Sequence, residues 1–260
     1  MDKLSVVKIG GNVIEDAKQL ANFLTVFSQM QGAKILVHGG GKKATLLSKS
    51  LGIPVKIIDG RRITDAKNLD IVTMLYAGKI NKNMVAQLQA MGCNAIGLSG
   101  ADGNAIQAVK RPLKELDFGF VGDITGINTT LFKILLQAQY VPVCCAITHD
   151  QKGQLLNTNA DTIAASLAKG LSKFFDVSLC YCFEKPGVLE DIRDEESVIV
   201  EITQDSYIKL KKNNVIHSGM IPKIDNCFEA LNYGVSEVKI GAPQMISGKT
   251  KYTKLILDNE

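Results

Sequence analysis

The sequence predicts an α/β fold in which helices cover both faces of a mostly parallel central sheet. Apolar runs rich in Val and Ile, such as residues 4–9, 34–38 and 140–147, alternate with stretches of helical periodicity. Parallel strands need long crossover connections, usually helices, and the alternation provides them. At 260 residues the chain is long enough to bury a large core of this kind.

Local signals place the individual elements. The spacing of Ala, Leu and Phe over 14–30 predicts an amphipathic helix, and Asp65 is a suitable N-cap for a helical stretch over 66–77. Pro54 and Gly60 indicate one hairpin, and the glycines of 105–127 indicate a second. The other predicted strands are 94–98, 177–183, 236–240 and 253–257, and the other predicted helices are 42–51, 79–90, 129–138, 159–170, 204–212 and 218–233.

The composition, 46% hydrophobic and 22% charged, is that of an ordinary globular protein. The net charge of +4 is small and the basic residues are scattered, which argues against a nucleic-acid partner. The sequence has no apolar run of membrane-spanning length, and Asp2 and Lys3 lead directly into the first strand rather than into a signal peptide. We therefore expect a cytoplasmic protein with no membrane partner.

The cysteines and histidines do not form a recognisable metal motif. The six cysteines include no CxxC pair, and four of them lie in apolar strand-like runs. Such cysteines are typical of reduced core thiols in a reducing compartment. His38, His149 and His217 are too far apart in sequence to propose a metal site. No metal-ligating residues are predicted.

Two apolar strands run directly into glycines, at Val6-Val7-Lys8-Ile9-Gly10-Gly11 and at Val37-His38-Gly39-Gly40-Gly41. Glycine lets the backbone turn sharply and approach a ligand closely. A helix after each turn would direct unpaired N–H groups toward one place, which suits an anion such as phosphate. Lys8 favours such a site because a lysine inside an apolar strand is rarely buried without a partner. The alternative is a lysine that extends from the strand end into solvent.

Three further features are ambiguous when each is taken alone. Asn157-Thr158-Asn159-Ala160-Asp161 stands at the start of a predicted helix, where plain N-capping explains it equally well. Lys223 lies near another helix start, where the helix dipole gives a cation no advantage, so it could be a surface lysine. Arg62 could clamp a carboxylate. No Walker A loop and no GxGxxG motif is present, so a nucleotide site must use another architecture.

Taken together and in this order, the motifs resemble those of the N-acetylglutamate kinases of the amino-acid kinase superfamily, over essentially the whole chain. The matching segments are Lys8-Ile9-Gly10-Gly11, His38-Gly39-Gly40-Gly41, Gly60-Arg61-Arg62-Ile63-Thr64, Asn157-Thr158-Asn159-Ala160-Asp161 and Gly219-Met220-Ile221-Pro222-Lys223. The resemblance implies a three-layer αβα sandwich around a mostly parallel central sheet. It implies that residues 1–173 bind the acyl amino acid and form the dimer contact, and that residues 174–260 bind the nucleotide.

The family reaction transfers the γ-phosphoryl group of MgATP to the side-chain carboxylate of N-acetyl-L-glutamate, which gives an acyl phosphate in arginine biosynthesis. The resemblance implies that Lys8 and Lys223 approach the phosphoryl group from opposite sides and that Asp161 holds both lysines. In this scheme ATP and Mg²⁺ are required, and the metal is held mainly by phosphates and water. The nucleophile is already ionised, because a free Glu-type carboxylate has a pKa near about 4.3, so no general base is needed.

The resemblance also assigns ligand contacts. The backbone N–H groups of Gly11, Gly40 and Gly41 are expected at phosphoryl oxygens, with Gly40 and Gly41 also near the substrate carboxylate. Gly10 is expected among the phosphate- and nucleotide-binding residues. The α-substituents of the amino acid are expected on Arg62 and Asn157. Two further nucleotide contacts are expected at Lys185 and Gly187.

The chain departs from the family pattern in the turn that holds these last two residues. The usual Asp-Val-x-Gly turn is replaced by Phe183-Glu184-Lys185-Pro186-Gly187, so Lys185 is either a phosphate contact or a solvated turn residue. Arginine-inhibited hexameric relatives carry an extra N-terminal helix, whereas this sequence starts at the first strand. We therefore expect a homodimer that is insensitive to arginine.

Two alternative functions remain open from the sequence. An N-acylglutamate with a longer acid, such as N-succinyl-L-glutamate, would need a cation near the pocket, and the predicted hairpin carries Lys56, Arg61 and Arg62. A non-catalytic regulator that binds a nucleotide or an amino acid on the same fold is the other alternative. The presence of both lysines with Asp161 argues against the regulator, because binding alone does not require this arrangement of charges.

Overall fold

The computed structural model describes residues 1–58, 61–113, 115–216, 220–248 and 250–258. Gly60, His217 and Gly219, which belong to predictions made above, lie outside the described residues. The strands are β1 (Lys3–Ile9), β2 (Ala33–His38), β3 (Ile57–Ile58), β4 (Arg61–Arg62), β5 (Ala95–Leu98), β6 (Ile106–Lys110), β7 (Gly122–Ile127), β8 (Val141–Cys145), β9 (Ile147–His149), β10 (Leu155–Asn157), β11 (Asp176–Cys182), β12 (Glu201–Ile202), β13 (Glu237–Gly241) and β14 (Thr253–Leu255).

The helices alternate with these strands. They are α1 (Gly11–Glu15), α2 (Ala17–Gln29), α3 (Gly41–Ser50), α4 (Ala66–Thr73), α5 (Asn81–Ala90), α6 (Thr129–Gln137), α7 (Ala160–Leu171), α8 (Gln204–Lys212) and α9 (Ile221–Asn232). A π-helical segment (Met74–Ile80) joins α4 to α5 without a break, and short 3-10 turns lie at Asp102–Asn104 and Pro243–Ser247.

Eight strands form the central sheet in the order β12-β14-β13-β11-β1-β2-β8-β5. All neighbours are parallel except β13 and β14, which run antiparallel. Consecutive residues of a strand point to opposite faces, yet Val6 and Val7 of β1 are both fully buried, so both faces are covered. On the covering layers, α7 packs on β1, β2 and β11, while α5 packs on β5 and β8 and against α2. The predicted three-layer αβα fold is confirmed.

Two smaller sheets lie outside the central one. The first has four strands in the order β10-β9-β6-β7, and the second is the hairpin of β3 and β4, with Ile57 opposite Arg62. Helix α4 packs against β10, and the backbone of Thr64 hydrogen-bonds with that of Phe118 and Phe120. These contacts bring the hairpin, the four-stranded sheet and α4 together around one cavity.

The structure differs from the sequence-based elements where polar groups interrupt an apolar pattern. The predicted helix over 14–30 is two helices, because the Asp16 carboxylate accepts hydrogen bonds from the N–H groups of Lys18 and Gln19 and starts α2 anew. The predicted strand over 140–147 is interrupted at Ala146, which separates β8 in the central sheet from β9 in the four-stranded sheet.

Candidate active site

The candidate site lies at the carboxyl ends of β1, β2 and β11. The chain leaves β1 through α1 and α2 toward β2, whereas β11 leads toward β13 on the other side of the sheet. The connections therefore diverge between β1 and β11, which is where ligands bind in open α/β sheets. The sequence supplies glycines at this edge, because Gly10 directly follows β1 and Gly39 directly follows β2.

Two cavities meet at this edge. An arginine-lined cavity is bounded by Gly40, Arg62, Tyr76, Arg111, Asn157 and Ala160, among others. A lysine-lined cavity is bounded by Lys8, Gly11, Asp161, Phe183 and Lys223, among others. Gly41 lines both cavities, so the two cavities are neighbours.

Asp161 lies between the two predicted catalytic lysines. Lys8 Nζ is 2.8 Å from Asp161 Oδ1, and Lys223 Nζ is 3.9 Å from Asp161 Oδ2. The side chains of Lys8 and Asp161 are each 13% exposed, whereas that of Lys223 is 40% exposed. The structure thus brings together three residues from distant parts of the chain, because Lys8 and Lys223 are 215 positions apart in the sequence.

The start of α7 fixes the position of Asp161. The Asn159 side chain accepts hydrogen bonds from the backbone N–H groups of Asp161 and Thr162, which makes Asn159 the N-cap. From β11, Tyr181 Oη donates to the backbone carbonyl of Asp161 at 3.2 Å. Tyr181 stands beside Lys8 in the sheet register. N-capping therefore accounts for Asn159, whereas Asp161 of the same motif faces the two lysines.

The charge of Asp161 is held by its neighbours. Burial opposes ionisation of this carboxyl, but the positive charges of Lys8 and Lys223, in that order, keep its pKa below the usual range. Asp161 is therefore an anion at neutral pH. One carboxylate between two ammonium groups leaves a net positive charge in the lysine-lined cavity, which suits a transferring phosphoryl group.

The glycines of the two turns serve different purposes. Gly40 has φ +153°, and a Cβ there would lie 2.4 Å from Ile80 Cδ1, so both the backbone and the packing require glycine. A Cβ on Gly11 would meet no atom within 4 Å, and one on Gly41 would meet only Tyr76 Oη at 3.9 Å. These two positions face open space, as backbone that approaches a ligand must. Gly10 donates to the Cys182 carbonyl at 2.7 Å and continues the sheet.

Arg62 is held firmly in the arginine-lined cavity. It is 7% exposed, and its Nη2 donates to the Gly41 carbonyl at 2.8 Å and to Thr45 Oγ1 at 2.7 Å. Its other terminal nitrogen, Nη1, is buried with no hydrogen-bond partner among the described residues. Tyr76 lies beside it, and burial raises the pKa of that phenol although the charge of Arg62 opposes the effect. A guanidinium with unused donors in a cavity is equipped to bind a carboxylate.

Asn157 ends β10 at the wall of the same cavity. Its Nδ2 donates to Thr64 Oγ1 at 3.0 Å, and Thr64 Oγ1 donates in turn to the Arg62 carbonyl at 3.0 Å. The predicted substrate residues Arg62 and Asn157 are therefore joined through one threonine. This contact links the Gly-Arg-Arg-Ile-Thr motif to the Asn-Thr-Asn-Ala-Asp motif, 93 residues apart.

Arg111 is a cavity residue that the sequence reasoning missed. It lies just after β6, and its Nε donates to Asp123 Oδ1 at 3.0 Å while its guanidinium stands 5.3 Å from the centre of the Phe118 ring. The ion pair and the ring fix the side chain at the wall. No local motif marks Arg111 in the sequence, because its place in the cavity depends on the pairing of β6 with β7.

Two of the predicted nucleotide residues lie outside both cavities. Lys185 Nζ is 2.8 Å from Glu195 Oε1 and is 40% exposed. Gly187 packs in the protein interior, because a Cβ there would lie 2.7 Å from Thr253 Oγ1 and from Val198 Cγ1. Phe183, from the same turn, does face the lysine-lined cavity, and Lys223 Nζ lies 5.7 Å from the centre of its ring.

The described part of the chain lacks a metal-binding cluster and a membrane-spanning helix. It holds no group of three or more His, Cys, Asp and Glu side chains close enough to bind a metal ion. None of its helices has the length and apolar character needed to cross a membrane. All six cysteines are free and buried.

Comparison with known proteins identifies the family to which the chain belongs. The model of the amino acid kinase family matches residues 3–242. The chain belongs to the amino acid kinase family. It is 53% identical over 239 residues to the acetylglutamate kinase of Bacteroides thetaiotaomicron, covering 92% of this chain and 93% of the relative. It is 51% identical over 262 residues to the acetylglutamate kinase of Cytophaga hutchinsonii, covering 98% of this chain and 99% of the relative.

One solved structure with the same fold bears the name of a different activity. The N-acetylglutamate synthase of Neisseria gonorrhoeae, solved with coenzyme A and N-acetyl-glutamate, superposes with a TM-score of 0.83. The match covers all of this chain and 60% of that one at 18% identity, so it shows the fold alone. The resemblance to acetylglutamate kinases drawn from the motifs is confirmed by the relatives in both Bacteroides and Cytophaga.

Proposed function

We propose that this protein is an acetylglutamate kinase, which transfers the γ-phosphoryl group of ATP to the side-chain carboxylate of N-acetyl-L-glutamate. The observation that carries the proposal is the Lys8–Asp161–Lys223 arrangement, which stands where an arginine-lined cavity meets a lysine-lined one. Relatives that are 51% and 53% identical to this chain over most of its length are named acetylglutamate kinases. The product is an acyl phosphate, because the phosphoryl group is transferred to a carboxylate oxygen.

The step needs no proton transfer. A carboxylate oxygen of the acceptor attacks the γ-phosphorus, a new P–O bond forms, and the bond between the γ-phosphorus and the oxygen bridging to the β-phosphate breaks to release ADP. The acceptor carboxyl is ionised at neutral pH, since Glu-type groups have a pKa of about 4.3. Catalysis then consists of bringing two anions together and stabilising the charge that moves between them.

The lysines carry that stabilisation. Lys8 reaches the cavity from the end of β1, and Lys223 reaches it from the first turn of α9, so the two ammonium groups converge from different elements on Asp161. Asp161 holds both cations and prevents their mutual repulsion from separating them. The N–H groups of Gly11 and Gly41 add backbone donors at a wall that no side chain blocks.

The arginine-lined cavity holds the amino acid. Arg62 has an unused terminal nitrogen for the α-carboxylate, and Asn157 stands beside it to meet the acylated α-amino group. Gly40 and Gly41 line the passage by which the side-chain carboxylate reaches the lysines. These groups suit a substrate that carries two carboxylates and an amide.

ATP occupies the side formed by residues 174–260, and residues 1–173 bind the acyl amino acid. Phe183, Glu184 and Lys223 bound the lysine-lined cavity from the nucleotide side. Asp161 is engaged by both lysines, so Mg²⁺ is carried mainly by the phosphates and water, where it neutralises phosphate charge. Lys185 and Gly187 line neither cavity, so the phosphoryl-transfer centre is formed without them.

We further propose a cytoplasmic homodimer that arginine does not inhibit. Six free, buried thiols fit a reducing compartment. Large apolar side chains at the surface of the substrate part, such as Met74 and Ile134, each 58% exposed, fit a surface that a second copy covers. Light scattering on the purified protein tests the dimer, and an arginine titration of the activity tests the insensitivity.

Trapping of the product by hydroxylamine tests the proposed activity. The protein is incubated with MgATP, hydroxylamine and either N-acetyl- or N-succinyl-L-glutamate, and the coloured iron complex of the hydroxamate is measured. Hydroxamate from N-acetyl-L-glutamate is expected. Product from the succinyl substrate alone would replace the acyl group in the proposal, and binding of ATP without product from either substrate would indicate a regulator instead of a kinase.

A further inference from the structure

His38 is a buried histidine directly behind the glycine turn, and the proposed reaction has not used it. It is the last residue of β2 and is fully buried. Its Nδ1 lies 2.9 Å from the carbonyl oxygen of Gly39, and its Nε2 lies 3.0 Å from Nδ2 of Asn81. Asn81, the first residue of α5, is also buried at 1% exposure.

The contacts of Asn81 determine which nitrogen of His38 carries the proton. Asn81 Nδ2 also donates to the Val143 carbonyl at 2.8 Å, and a carbonyl can only accept, so the amide nitrogen must be the atom at this position. The second N–H of the same amide group then points to His38 Nε2, which must accept. Nδ1 is therefore the protonated nitrogen, and it donates to the Gly39 carbonyl. In the other tautomer, the N–H of Nε2 would face the N–H of Asn81, and the lone pair of Nδ1 would face the carbonyl oxygen of Gly39.

Burial supports this neutral form. It lowers the pKa of His38 to about 4, and the hydrogen bond to Gly39 only partly offsets the effect. The imidazole therefore stays uncharged across the physiological range. A neutral ring with one fixed N–H and one fixed lone pair is a rigid connector between α5 and the glycine turn.

The connector controls the direction of one backbone donor. In a trans peptide the C=O and N–H groups point in opposite directions. When His38 holds the Gly39 carbonyl, the N–H of Gly40 must point the other way. Among the described residues, none accepts a hydrogen bond from the N–H of Gly40 or Gly41, and both residues line the arginine-lined cavity.

The π-helical segment before α5 holds the same turn from a second direction. A Cβ on Gly40 would lie 2.4 Å from Ile80 Cδ1 and 3.0 Å from Tyr76 Cε1, so these side chains press against the turn. Asn81 follows directly, and its Oδ1 is buried with no partner among the described residues. An unpaired buried oxygen is costly, and π-helical insertions are frequent at functional sites. Asn81 Oδ1 therefore goes without a hydrogen bond, while Nδ2 of the same amide is directed at His38.

We propose that His38, oriented by Asn81, is a positioning residue that aims the Gly40 N–H at the oxygen on which charge develops during phosphoryl transfer. The proposal rests on the proposed kinase function for its readout in rate. The tautomer of His38 is independent of the proposed function, because it is set by contacts within the folded protein. The substrate never touches His38, because Gly39 and Gly40 lie between them.

Two substitutions separate positioning from packing. His38→Asn places an amide N–H near the position of Nδ1 and keeps a donor for the Gly39 carbonyl, whereas His38→Leu fills the space without a donor. We expect kcat to fall by about 10²-fold in His38→Leu, as small misplacements at reacting centres do, with KM for ATP changed less than threefold. His38→Asn should recover at least tenfold of that loss. His149→Asn, which removes a histidine bonded to Asn104 outside both cavities, is the matched control and should leave kcat unchanged.

Nitrogen-15 NMR of the wild-type protein labelled at histidine tests the tautomer without any activity. The chain has three histidines, so comparison with the spectra of His38→Asn and His149→Asn assigns each signal. A neutral His38 protonated at Nδ1 between pH 6 and 8 is expected. Protonation at Nε2 would overturn the proposal, as would a folded His38→Leu variant with wild-type kcat. If the wild-type protein gave no hydroxamate, the proposed kinase function would fail. The NMR measurement of the tautomer would still test whether His38 holds the Gly39 carbonyl.

Discussion

The two lysines beside Asp161 occupy contrasting environments. Lys8 comes from the central strand of the sheet, is mostly buried, and touches the carboxylate at 2.8 Å. Lys223 comes from the first turn of α9, is three times as exposed at 40%, and stands 3.9 Å away. One half of the charge arrangement is built into the core before any ligand binds, and the other half lies at the surface.

The same contrast extends to the residues around them. On the side formed by residues 1–173, Arg62 and Asn157 are joined through Thr64 and held by the backbone of neighbouring strands. In the later part of the chain, Lys185 pairs with Glu195 at the surface. Because exposed ion pairs contribute little and buried ones are costly to break, the two sides should respond very differently to substitution.

The largest effect is expected when Lys8 is removed. Lys8→Met keeps the length of the side chain but deletes the buried charge, so the phosphoryl group loses a donor and Asp161 loses its nearer partner. We expect kcat to fall by ~10³-fold or more in the hydroxylamine assay. Lys169→Met is the control, because Lys169 pairs with Glu229 between the same two helices as Asp161 and Lys223 but outside the cavities. Turnover of Lys8→Met within tenfold of wild type would remove Lys8 from the mechanism.

A smaller effect is expected at Lys223. Lys223→Met should lower kcat by ~10²-fold, because the second cation also meets the phosphoryl group. Its melting temperature should stay close to that of wild type, since the side chain is exposed and its distance to Asp161 is longer. Thermal unfolding of both lysine variants compares the two directly. A larger loss of stability in Lys223→Met than in Lys8→Met would contradict the contrast between the buried and the exposed lysine.

The pKa of Asp161 provides a third comparison. Burial opposes its ionisation, and Lys8 lowers the pKa more than Lys223 does. Carbon-13 titration of this carboxyl should therefore show a larger upward shift of its pKa in Lys8→Met than in Lys223→Met. Equal shifts in the two variants would mean that both lysines act at the same effective distance.

The sign for stability follows from the same pKa. The native pKa lies below the ordinary value of 3.8, so ionised Asp161 stabilises the fold above that pH and the contribution disappears as the pH falls through the native pKa. Wild-type stability from this group should be constant between pH 5 and 8. In Lys8→Met the native pKa moves up toward the unfolded value, so this acid-dependent loss of stability should become smaller, which urea unfolding at successive pH values would measure.

The smallest effect is expected at Lys185. Its ion pair with Glu195 is exposed, and its side chain does not line either cavity, so Lys185→Ala should change KM for ATP by less than about fivefold. Lys251→Ala, which breaks the neighbouring exposed pair with Glu196, is the matched control. A rise of KM for ATP well beyond that of the control would place Lys185 on a nucleotide phosphate.

Much of the site could be predicted from short stretches of sequence. Lys8, Asp161 and Lys223 each lie in a short motif at a strand end or a helix start. Such motifs can be recognised from neighbouring residues alone. Arg111 could not be predicted, because its place at the cavity wall depends on the pairing of β6 with β7 and on Asp123 across that pair. His38 was visible only as a neighbour of glycines, and its partner Asn81 lies 43 residues away.

The fold shows the same division. Alternation of apolar strands and amphipathic helices predicted a parallel sheet with two covering layers, because periodicity is a property of neighbouring residues. The split of the predicted helix over 14–30 at Asp16 depended on which of two local signals prevailed, the apolar spacing or the cap. The continuous passage from α4 through a π-helical segment into α5 was not marked by any local signal.

The sequence by itself determined the order of the motifs, the αβα layering and the three charged residues at the centre. The tertiary structure alone decided that Lys8 is buried while Lys223 is exposed, that Lys185 faces Glu195 instead of the cavity, and that Asn81 fixes the proton of His38. The physical reason is range. Backbone preferences and hydrophobic period act over a few residues, whereas burial, pKa and hydrogen-bond direction depend on atoms brought together from distant parts of the chain.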